Sequence, residues 1–207
     1  MKILIFLGGE KPSVNLARQA AQRSEWIIAA DSGYNAISET GLIPDIVTGD
    51  FDSIGEIPQS GDFKVIRAPE QDATDFQKAL RHVPPEAEYV EILGGTGLRS
   101  DHFLTNLLIA AGMPLNLRVV FHDNTQSIYR ITPHHPLQLR LIPGTIISLI
   151  PFVDCHGVST SGCHWNLNDA RMGPSGVLGQ SNRSDKEEVA MEVKGGILYA
   201  VVNHPEG

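Results

Sequence analysis

Short apolar runs and helix-like patterns alternate along the first part of the chain. The runs are rich in β-branched residues, and each is bounded by polar or turn-forming positions, as is typical of buried strands. They are ILIFL (3–7), WIIAA (26–30), DIVTG (45–49), FKVIR (63–67), YVEIL (89–93) and LRVVF (117–121). Helical patterns separate them, at 13–23, 34–40, 75–82 and 101–111. This alternation predicts an α/β domain over residues 1–124, with a mostly parallel sheet flanked by helices.

From residue 125 the helical patterns stop, and Pro and Gly divide the chain into short strands. Two pairs of strands, each joined by a short turn, are predicted to form β-hairpins. They are LQLRLI (137–142) with TIISLI (145–150), and EVAMEV (188–193) with ILYAVV (197–202). Residues 125–207 are therefore predicted to form a smaller antiparallel β-domain of the sandwich or barrel type. A domain of this size buries little surface alone, which favours a homodimer.

Charge and composition narrow the classes of partner. With 24 acidic and 16 basic residues the formal charge is −8, and no basic run is present, so nucleic acid is not an expected partner. The apolar runs are far shorter than the roughly 20 residues that span a bilayer, so no membrane association is expected. Cys155 and Cys163 lack the spacing of a zinc site. The N-terminus does not have the pattern of a secretory signal, and we expect a cytoplasmic protein.

The acidic residues concentrate in loops that follow predicted strands. In α/β sheets, ligands bind beyond the carboxyl ends of the strands. Asp is often only a turn former, but Asp50 and Asp52 share one face of an extended chain with Cα atoms about 7 Å apart. Two charges at that distance repel by about 2.4 kcal/mol at an effective dielectric of about 20, which a bound cation relieves. Hard oxygen ligands indicate Mg²⁺. The acids are Asp31, Asp50, Asp52, Asp72, Asp75 and Asp101.

The segment PEQDATDFQKAL (69–80) predicts a helix N-terminus. Thr74 and Gln77 have the spacing of a capping box, so Thr74 is the predicted N-cap and Asp75 opens the first turn. An acid there complements the helix dipole, and the same position faces the other acids. Lys78 is either a solvated surface charge or a ligand for phosphate.

The segment LGGTGLRSDH (93–102) is a glycine-rich turn between a strand and a helix. It lacks the ending of a P-loop. Its glycines permit close backbone approach, and Arg99 offers a fork for phosphate oxygens. Asp101 adds a carboxylate, and His102 is either a packed helix residue or a ligand. Carboxylates beside an Arg and a Lys suit a polyphosphate carried with Mg²⁺, which indicates a nucleotide.

Four motifs occur in the N-terminal part, in the order ADSGYN (30–35), GDFDS (49–53), QDATDFQKAL (71–80) and GLRSDH (97–102). In sequence and in order they resemble the motifs of the thiamine pyrophosphokinase (thiamine diphosphokinase) family. The similarity continues after residue 125 in HWNLN (164–168) and GQSNRS (179–184), so it covers nearly the whole chain. Ser32 and Tyr34 depart from the family, which usually has glycine and a small residue there.

The resemblance implies a homodimeric enzyme that moves the pyrophosphoryl group of the co-substrate ATP to the hydroxyethyl oxygen of thiamine and releases AMP. It places Asp50, Asp52 and Asp75 around Mg²⁺. It makes the same acids catalytic, together with Arg99 and Asp101. Because Asp50 and Asp52 are better suited to hold metal, we expect the general base to be either Asp75 or Asp101, and the sequence does not distinguish them. Its nucleotide-binding positions are Asp31, Gly33, Asn35, Gln71, Asp72, Thr74, Lys78 and His102. Its thiamine-binding positions are Trp165, Ser181 and Asn182.

Two other functions use the same features. A metal-dependent phosphohydrolase activates water with a similar carboxylate cluster. A non-catalytic nucleotide sensor with a dimerising β-domain is the alternative from another class, although a sensor has no need for so many crowded acids. The products formed from ATP and thiamine distinguish the three.

Overall fold

The computed structural model describes residues 1–52 and 63–204, which fall into two compact units. Unit 1 consists of Met1–Ile109 and Phe121–Asn124. Unit 2 consists of Ala110–Val120 and the chain from Thr125 onward. No helix in the described part of the chain is long and apolar enough to cross a membrane.

Unit 1 contains a parallel sheet with helices between its strands, which confirms the predicted α/β fold. Its order is β5-β1-β2-β3-β4, and all four pairings are parallel. The strands are β1 (Lys2–Phe6), β2 (Trp26–Ala30), β3 (Ile46–Gly49), β4 (Lys64–Arg67) and β5 (Tyr89–Leu93), and β6 (Arg118–His122) follows in the chain. The helices are α1 (Val14–Gln22), α2 (Gly33–Ser38), α3 (Asp75–Leu80) and α4 (Ser100–Ala111).

The central strands are nearly uniform apolar runs because both faces of a parallel sheet are covered. In β1 the residues from Ile3 to Phe6 are fully buried. Leu4 and Phe6 pack with alanines of α1 and with Ile37 of α2 in one core cluster. Since the strands are parallel, their carboxyl ends lie at one edge of the sheet, and the loops that follow β1, β2, β3 and β5 meet there.

Unit 2 is a β-sandwich of two antiparallel sheets, as predicted. The orders are β12-β9-β14-β7 and β11-β10-β13-β8. Side chains from both sheets share one core cluster, which includes Leu149, Val158, Met191 and Leu198. The strands are β7 (Gln126–Ile131), β8 (Leu137–Arg140), β9 (Ile146–Pro151), β10 (Cys155–Ser161), β11 (Ala170–Met172), β12 (Gly179–Arg183), β13 (Glu188–Glu192) and β14 (Leu198–Asn203).

Neither predicted hairpin forms. β8 pairs with β13, whereas β9 pairs with β12 and β14. β13 in turn pairs with β10 and β8, and β14 pairs with β7 and β9. Each short turn therefore carries the chain from one sheet to the facing sheet, a distance of about 10 Å. The alternating pattern of these strands is satisfied by either arrangement, because it fixes the buried face and not the partner strand.

The segment that follows α4 belongs to unit 2 because Arg130 of β7 anchors it. The Arg130 guanidinium is 4% exposed and donates hydrogen bonds to the carbonyl oxygens of Ala110, Met113, Pro114 and Leu117.

Candidate functional site

A cavity of 560 Å³ opens at the carboxyl edge of the unit 1 sheet. Residues after β1, β2, β4 and β5 line it, together with Asp50 and Asp52 after β3 and the first turns of α3 and α4. Most of the residues predicted for the metal and nucleotide site line it. They are Asp31, Asp50, Asp52, Gln71, Thr74, Asp75, Lys78, Arg99, Asp101 and His102. Topology thus brings together residues as far apart in the chain as Asp31 and His102.

Three carboxylates form the centre of this cavity. Ligand oxygens of Asp31, Asp50 and Asp52 all lie within 4.8 Å of one another. Asp31 is 3% exposed, has a left-handed φ of 44°, and accepts a hydrogen bond of 3.1 Å from the N–H of Phe51. An all-oxygen anionic donor set fits Mg²⁺. The resemblance predicted Asp50, Asp52 and Asp75 around Mg²⁺ and assigned Asp31 to the nucleotide. Among the described residues, the cluster of carboxylates contains Asp31 in place of Asp75.

Asp50 is kept ionised by its neighbours. The N–H of Asp52 and the side chains of Gln71 and Lys78 hold the pKa of Asp50 below its ordinary value, although burial opposes them. The Gln71 amide donates to Asp50 Oδ2 at 3.1 Å. Ser53, the last residue of the GDFDS motif, lies outside the described residues.

Lys78 is a buried cation that lies next to the carboxylates of Asp50 and Asp75. It is 2% exposed, and its Nζ lies 3.5 Å from Asp50 Oδ2 and 3.7 Å from Asp75 Oδ1. The alternative that Lys78 is a solvated surface charge is therefore wrong. A buried ammonium is stable only beside compensating charge, and the carboxylates provide it.

The first turn of α3 has the predicted capping box. Thr74 Oγ1 accepts from the N–H of Gln77 at 3.2 Å, and Gln77 Oε1 accepts from the N–H of Thr74 at 2.9 Å. This arrangement fixes Asp75 at the entrance of the helix. Burial and the negative charges of Asp31, Asp50 and Asp52 raise the pKa of Asp75, against the opposing effect of Lys78.

Asp101 differs from Asp75 in its electrostatic environment. Arg99 Nη2 donates to Asp101 Oδ2 at 2.5 Å and Arg99 Nε donates to Oδ1 at 3.1 Å. This pairing lowers the pKa of Asp101 to about 2. Both side chains are about two-thirds exposed, so the ion pair is weak and Arg99 exchanges partners at little cost.

The glycines of the 93–97 turn pack against the protein's own backbone. A Cβ on Gly94 would lie 2.1 Å from the carbonyl oxygen of Leu7, and one on Gly9 would lie 2.4 Å from those of Gly94 and Thr96. Hydrogen bonds from Gly9 N to Gly94 O and from Glu10 N to Thr96 O join the two loops. The glycines therefore allow the loop after β1 and the 93–97 turn to pack backbone against backbone where they line the cavity. Their small size also permits a ligand to approach the backbone.

Three predicted nucleotide-binding residues are not among those that line this cavity. Asp72 is exposed, and so is Asn35 on α2. Gly33 is buried where a Cβ would lie 2.3 Å from the carbonyl oxygen of Phe6, so close packing of α2 against β1 requires glycine.

The cavity also contains polar residues that the sequence analysis did not identify. Thr96 is buried and donates to Asp123 Oδ2 at 3.0 Å, and Asn106 donates to the carbonyl oxygen of Gly95 at 3.0 Å. Thr105 also lines the cavity. Helical spacing gives a signal for two of them, since Thr105 and Asn106 lie one turn after Asp101 and His102. Asp123, the partner of Thr96, follows the predicted strand 117–121 and so carried the same signal as the other acids that follow strands.

The residues assigned to thiamine lie together in unit 2. Trp165 is 59% exposed, whereas Asn182 is 7% exposed. The amide oxygen of Asn182 accepts from the N–H of Trp165 at 3.2 Å and of Arg183 at 2.8 Å, and its Nδ2 donates to the carbonyl oxygen of Trp165 at 2.8 Å. Ser181 is exposed with a φ of 59°, and its N–H donates to Ser148 Oγ. Asn182 thus holds the Trp165 backbone in place.

Comparisons with known proteins agree with this arrangement. The chain is 28% identical over 208 residues to a thiamine pyrophosphokinase of Bacillus subtilis, covering 96% of this chain and 97% of that protein. It is also 28% identical over 174 residues to thiamine pyrophosphokinase 1 of Oryza sativa, where the match covers 76% of this chain and 66% of the rice protein. The crystal structure of a Bacillus subtilis thiamine pyrophosphokinase has a TM-score of 0.83 at 27% identity, with full coverage of both chains.

Two family models match successive parts of the chain. The model described as thiamin pyrophosphokinase, catalytic domain, matches residues 17–121, which is about half of the chain and includes most of the cavity. The model described as thiamin pyrophosphokinase, vitamin B1 binding domain, matches residues 130–198, which include Trp165 and Asn182. The chain therefore belongs to the thiamin pyrophosphokinase family of enzymes.

Proposed function

We propose that this enzyme transfers the pyrophosphoryl group of ATP to the hydroxyethyl oxygen of thiamine, giving thiamine diphosphate and AMP. The observation that carries the proposal is the match to a catalytic and a vitamin B1 binding family model in succession. The cavity in unit 1 supports it, because carboxylates beside Lys78 and Arg99 suit a polyphosphate accompanied by a divalent cation.

In this proposal Asp31, Asp50 and Asp52 hold Mg²⁺. The distances among their oxygens favour Asp31 as the third carboxylate over Asp75. When bound, the ion supplies positive charge against the phosphate oxygens in the transition state. The acidic surroundings also suit the positive charge of thiamine.

Lys78 and Arg99 bind the phosphates. Lys78 acts as a fixed cation because it is buried and held by Asp50 and Asp75. Arg99 is exposed and forms a two-bond contact with Asp101, which is the geometry that its fork also offers to two phosphate oxygens. Binding of ATP then replaces or shares the Asp101 contact.

The reaction is a displacement at the β-phosphorus. The hydroxyethyl oxygen of thiamine forms a bond to that phosphorus, and the bond from it to the oxygen that bridges the α-phosphate breaks. AMP leaves with the bonding electrons, and the alcohol proton moves to a carboxylate. Asp75 is favoured as this base because its pKa is raised, whereas Arg99 lowers the pKa of Asp101 to about 2.

Thiamine binds in unit 2 against Trp165, at the subunit interface of a homodimer. An exposed tryptophan with a fixed backbone offers a flat apolar surface to the pyrimidine ring. Ser181 supplies a polar contact, and Asn182 acts mainly through Trp165. We place the reaction in the cytoplasm, as expected from the sequence.

Mass spectrometry of the products from ATP, Mg²⁺ and thiamine tests the proposal. Thiamine diphosphate and AMP in equal amounts support it. ADP with thiamine monophosphate indicates transfer of a single phosphoryl group. Release of phosphate without use of thiamine indicates a phosphohydrolase. Binding of ATP without any product indicates a nucleotide sensor. The Asp50→Asn variant is the control for a contaminating activity, and the mass in solution tests the homodimer.

A further inference from the structure

Two polar side chains contact the exposed indole of Trp165, and a third pairs with both of them. The His164 ring meets it in a T-shaped contact, with centroids 4.6 Å apart. The guanidinium carbon of Arg183 lies over the indole, 5.7 Å from its centroid. Asp185 Oδ2 lies 2.8 Å from His164 Nδ1, and Asp185 Oδ1 lies 3.6 Å from Arg183 Nε. These contacts link the three side chains into one cluster on the indole.

The backbone on both sides of the cluster is fixed. Asn182 bonds both the N–H and the carbonyl oxygen of Trp165, and it also accepts from the N–H of Arg183. The N–H of His164 donates to the carbonyl oxygen of Arg183 at 2.9 Å, and the N–H of Asp185 donates to that of Gly162 at 2.8 Å. The backbone positions that carry the indole and the guanidinium are therefore fixed relative to each other.

The charge on this cluster affects what binds beside Trp165. Arg183 is always ionised, so a positive charge lies against the ring that the proposed function assigns to thiamine. The thiazolium ring of thiamine carries a permanent positive charge, which an uncompensated guanidinium would repel. Asp185 lies beside Arg183 and cancels its charge.

We infer that Asp185 is a specificity-determining residue: by neutralising Arg183, it allows the Trp165 surface to accept a cationic substrate. This inference rests on the proposed placement of thiamine against Trp165. Arg183 and His164 contact the indole, and its exposed part is available to the ligand. Asp185 contributes through charge and need not touch thiamine.

Isothermal calorimetry on the dimer with Asp185→Asn tests the inference, with thiamine and its neutral pyrimidine half, 4-amino-5-hydroxymethyl-2-methylpyrimidine, as the two probes. An uncompensated cation several ångströms from the thiazolium weakens thiamine binding about fivefold. The neutral pyrimidine binds as before. In about 1 M salt the difference between variant and wild type disappears, because charges are screened within about 3 Å.

The Arg183→Gln variant gives an independent test with the opposite sign. It removes the cation and leaves the carboxylate, so thiamine binds more tightly while the neutral pyrimidine is unaffected. Glu187→Gln is the matched control, since it removes another exposed carboxylate of unit 2, one paired with Arg140. It leaves both affinities unchanged.

The outcomes separate this inference from the proposed function. Equal weakening of both probes by Asp185→Asn, or no weakening of thiamine, overturns the role of Asp185. Unchanged thiamine affinity in Trp165→Ala overturns the placement of thiamine itself. If Trp165→Ala weakens thiamine and Asp185→Asn does not, only the charge argument fails.

Discussion

Asp52→Asn is expected to change the stability of unit 1 in opposite directions with and without Mg²⁺. The side-chain oxygens of Asp31, Asp50 and Asp52 lie within 4.8 Å of one another, so the metal-free protein contains repelling charges. Asparagine removes one charge and keeps the backbone N–H that donates to Asp50 Oδ1 at 3.3 Å. The substitution therefore relieves repulsion without changing local backbone bonding, and it also removes a metal ligand.

The distance sets the size of the effect. Two carboxylates 4.8 Å apart repel by about 0.9 kcal/mol in a water-like dielectric and by about 3.5 kcal/mol at an effective dielectric of about 20. Asp52 is exposed, so the lower figure applies more closely, and it has two acidic neighbours. We expect the metal-free variant to gain about 1–2 kcal/mol, or a Tm rise of about 2–8 °C. Mg²⁺ at about 100 times its Kd stabilises the wild type by about 2.7 kcal/mol, and the variant loses most of this gain.

Thermal unfolding in EDTA and in Mg²⁺ measures both effects. Trp26 of β2 reports on unit 1 by fluorescence when Trp165 is replaced by Phe in all samples. Glu88→Gln is the control, because it removes an 87% exposed carboxylate just before β5, at the opposite end of the strand from the cavity. A variant that is less stable in EDTA, or one that keeps the full Mg²⁺ shift, refutes the assignment of Asp52 to a metal site.

Three further predictions concern the charged residues around the cavity. Arg99→Lys loses one of two charge-assisted hydrogen bonds, so the KM for ATP rises about tenfold while the KM for thiamine is unchanged. Steady-state kinetics measures both constants. A change confined to the KM for thiamine contradicts the role of Arg99 in phosphate binding. Lys78→Met leaves Asp50 and Asp75 without their buried counter-charge, and urea unfolding in EDTA is expected to show a loss of about 3 kcal/mol. A neutral result there means that Lys78 does not compensate the acids. Asp75→Asn should abolish most turnover yet stabilise the metal-free protein at pH 7, because burial raises the pKa of Asp75 in the folded state. The contribution of the protonated Asp75 is complete below its ordinary pKa of 3.8 and is lost as the pH rises through the raised value, so the gain in the variant vanishes below pH 3.8. Urea unfolding of the variant and the wild type at pH 7 and below pH 3.8 measures this difference. An equal gain in the free energy of unfolding at both pH values contradicts the role of the Asp75 charge.

The sequence by itself determined the local elements and the edge of the sheet where the site lies. Uniform apolar runs such as ILIFL predict buried parallel strands because both faces of such a sheet are covered. The Thr74–Gln77 spacing predicts its capping box, since a cap depends only on residues within one turn. The order of strands and loops also places the acids at the carboxyl ends of the strands, and the family motifs identify their chemistry.

Tertiary structure alone decided which groups meet and how far each is exposed. Asp31 joins Asp50 and Asp52 because β2 and β3 pair in parallel register. Lys78 is compensated by Asp75 of its own helix and by Asp50, which another part of unit 1 contributes. Its own segment, without Asp50, is equally compatible with a solvated charge. In unit 2, the alternating pattern specified the inward face of each strand but not its partner strand. It was therefore compatible with hairpins, whereas the two turns in fact join facing sheets. Periodicity and capping act within a few residues, whereas strand pairing, burial and charge compensation depend on contacts between segments far apart in the chain.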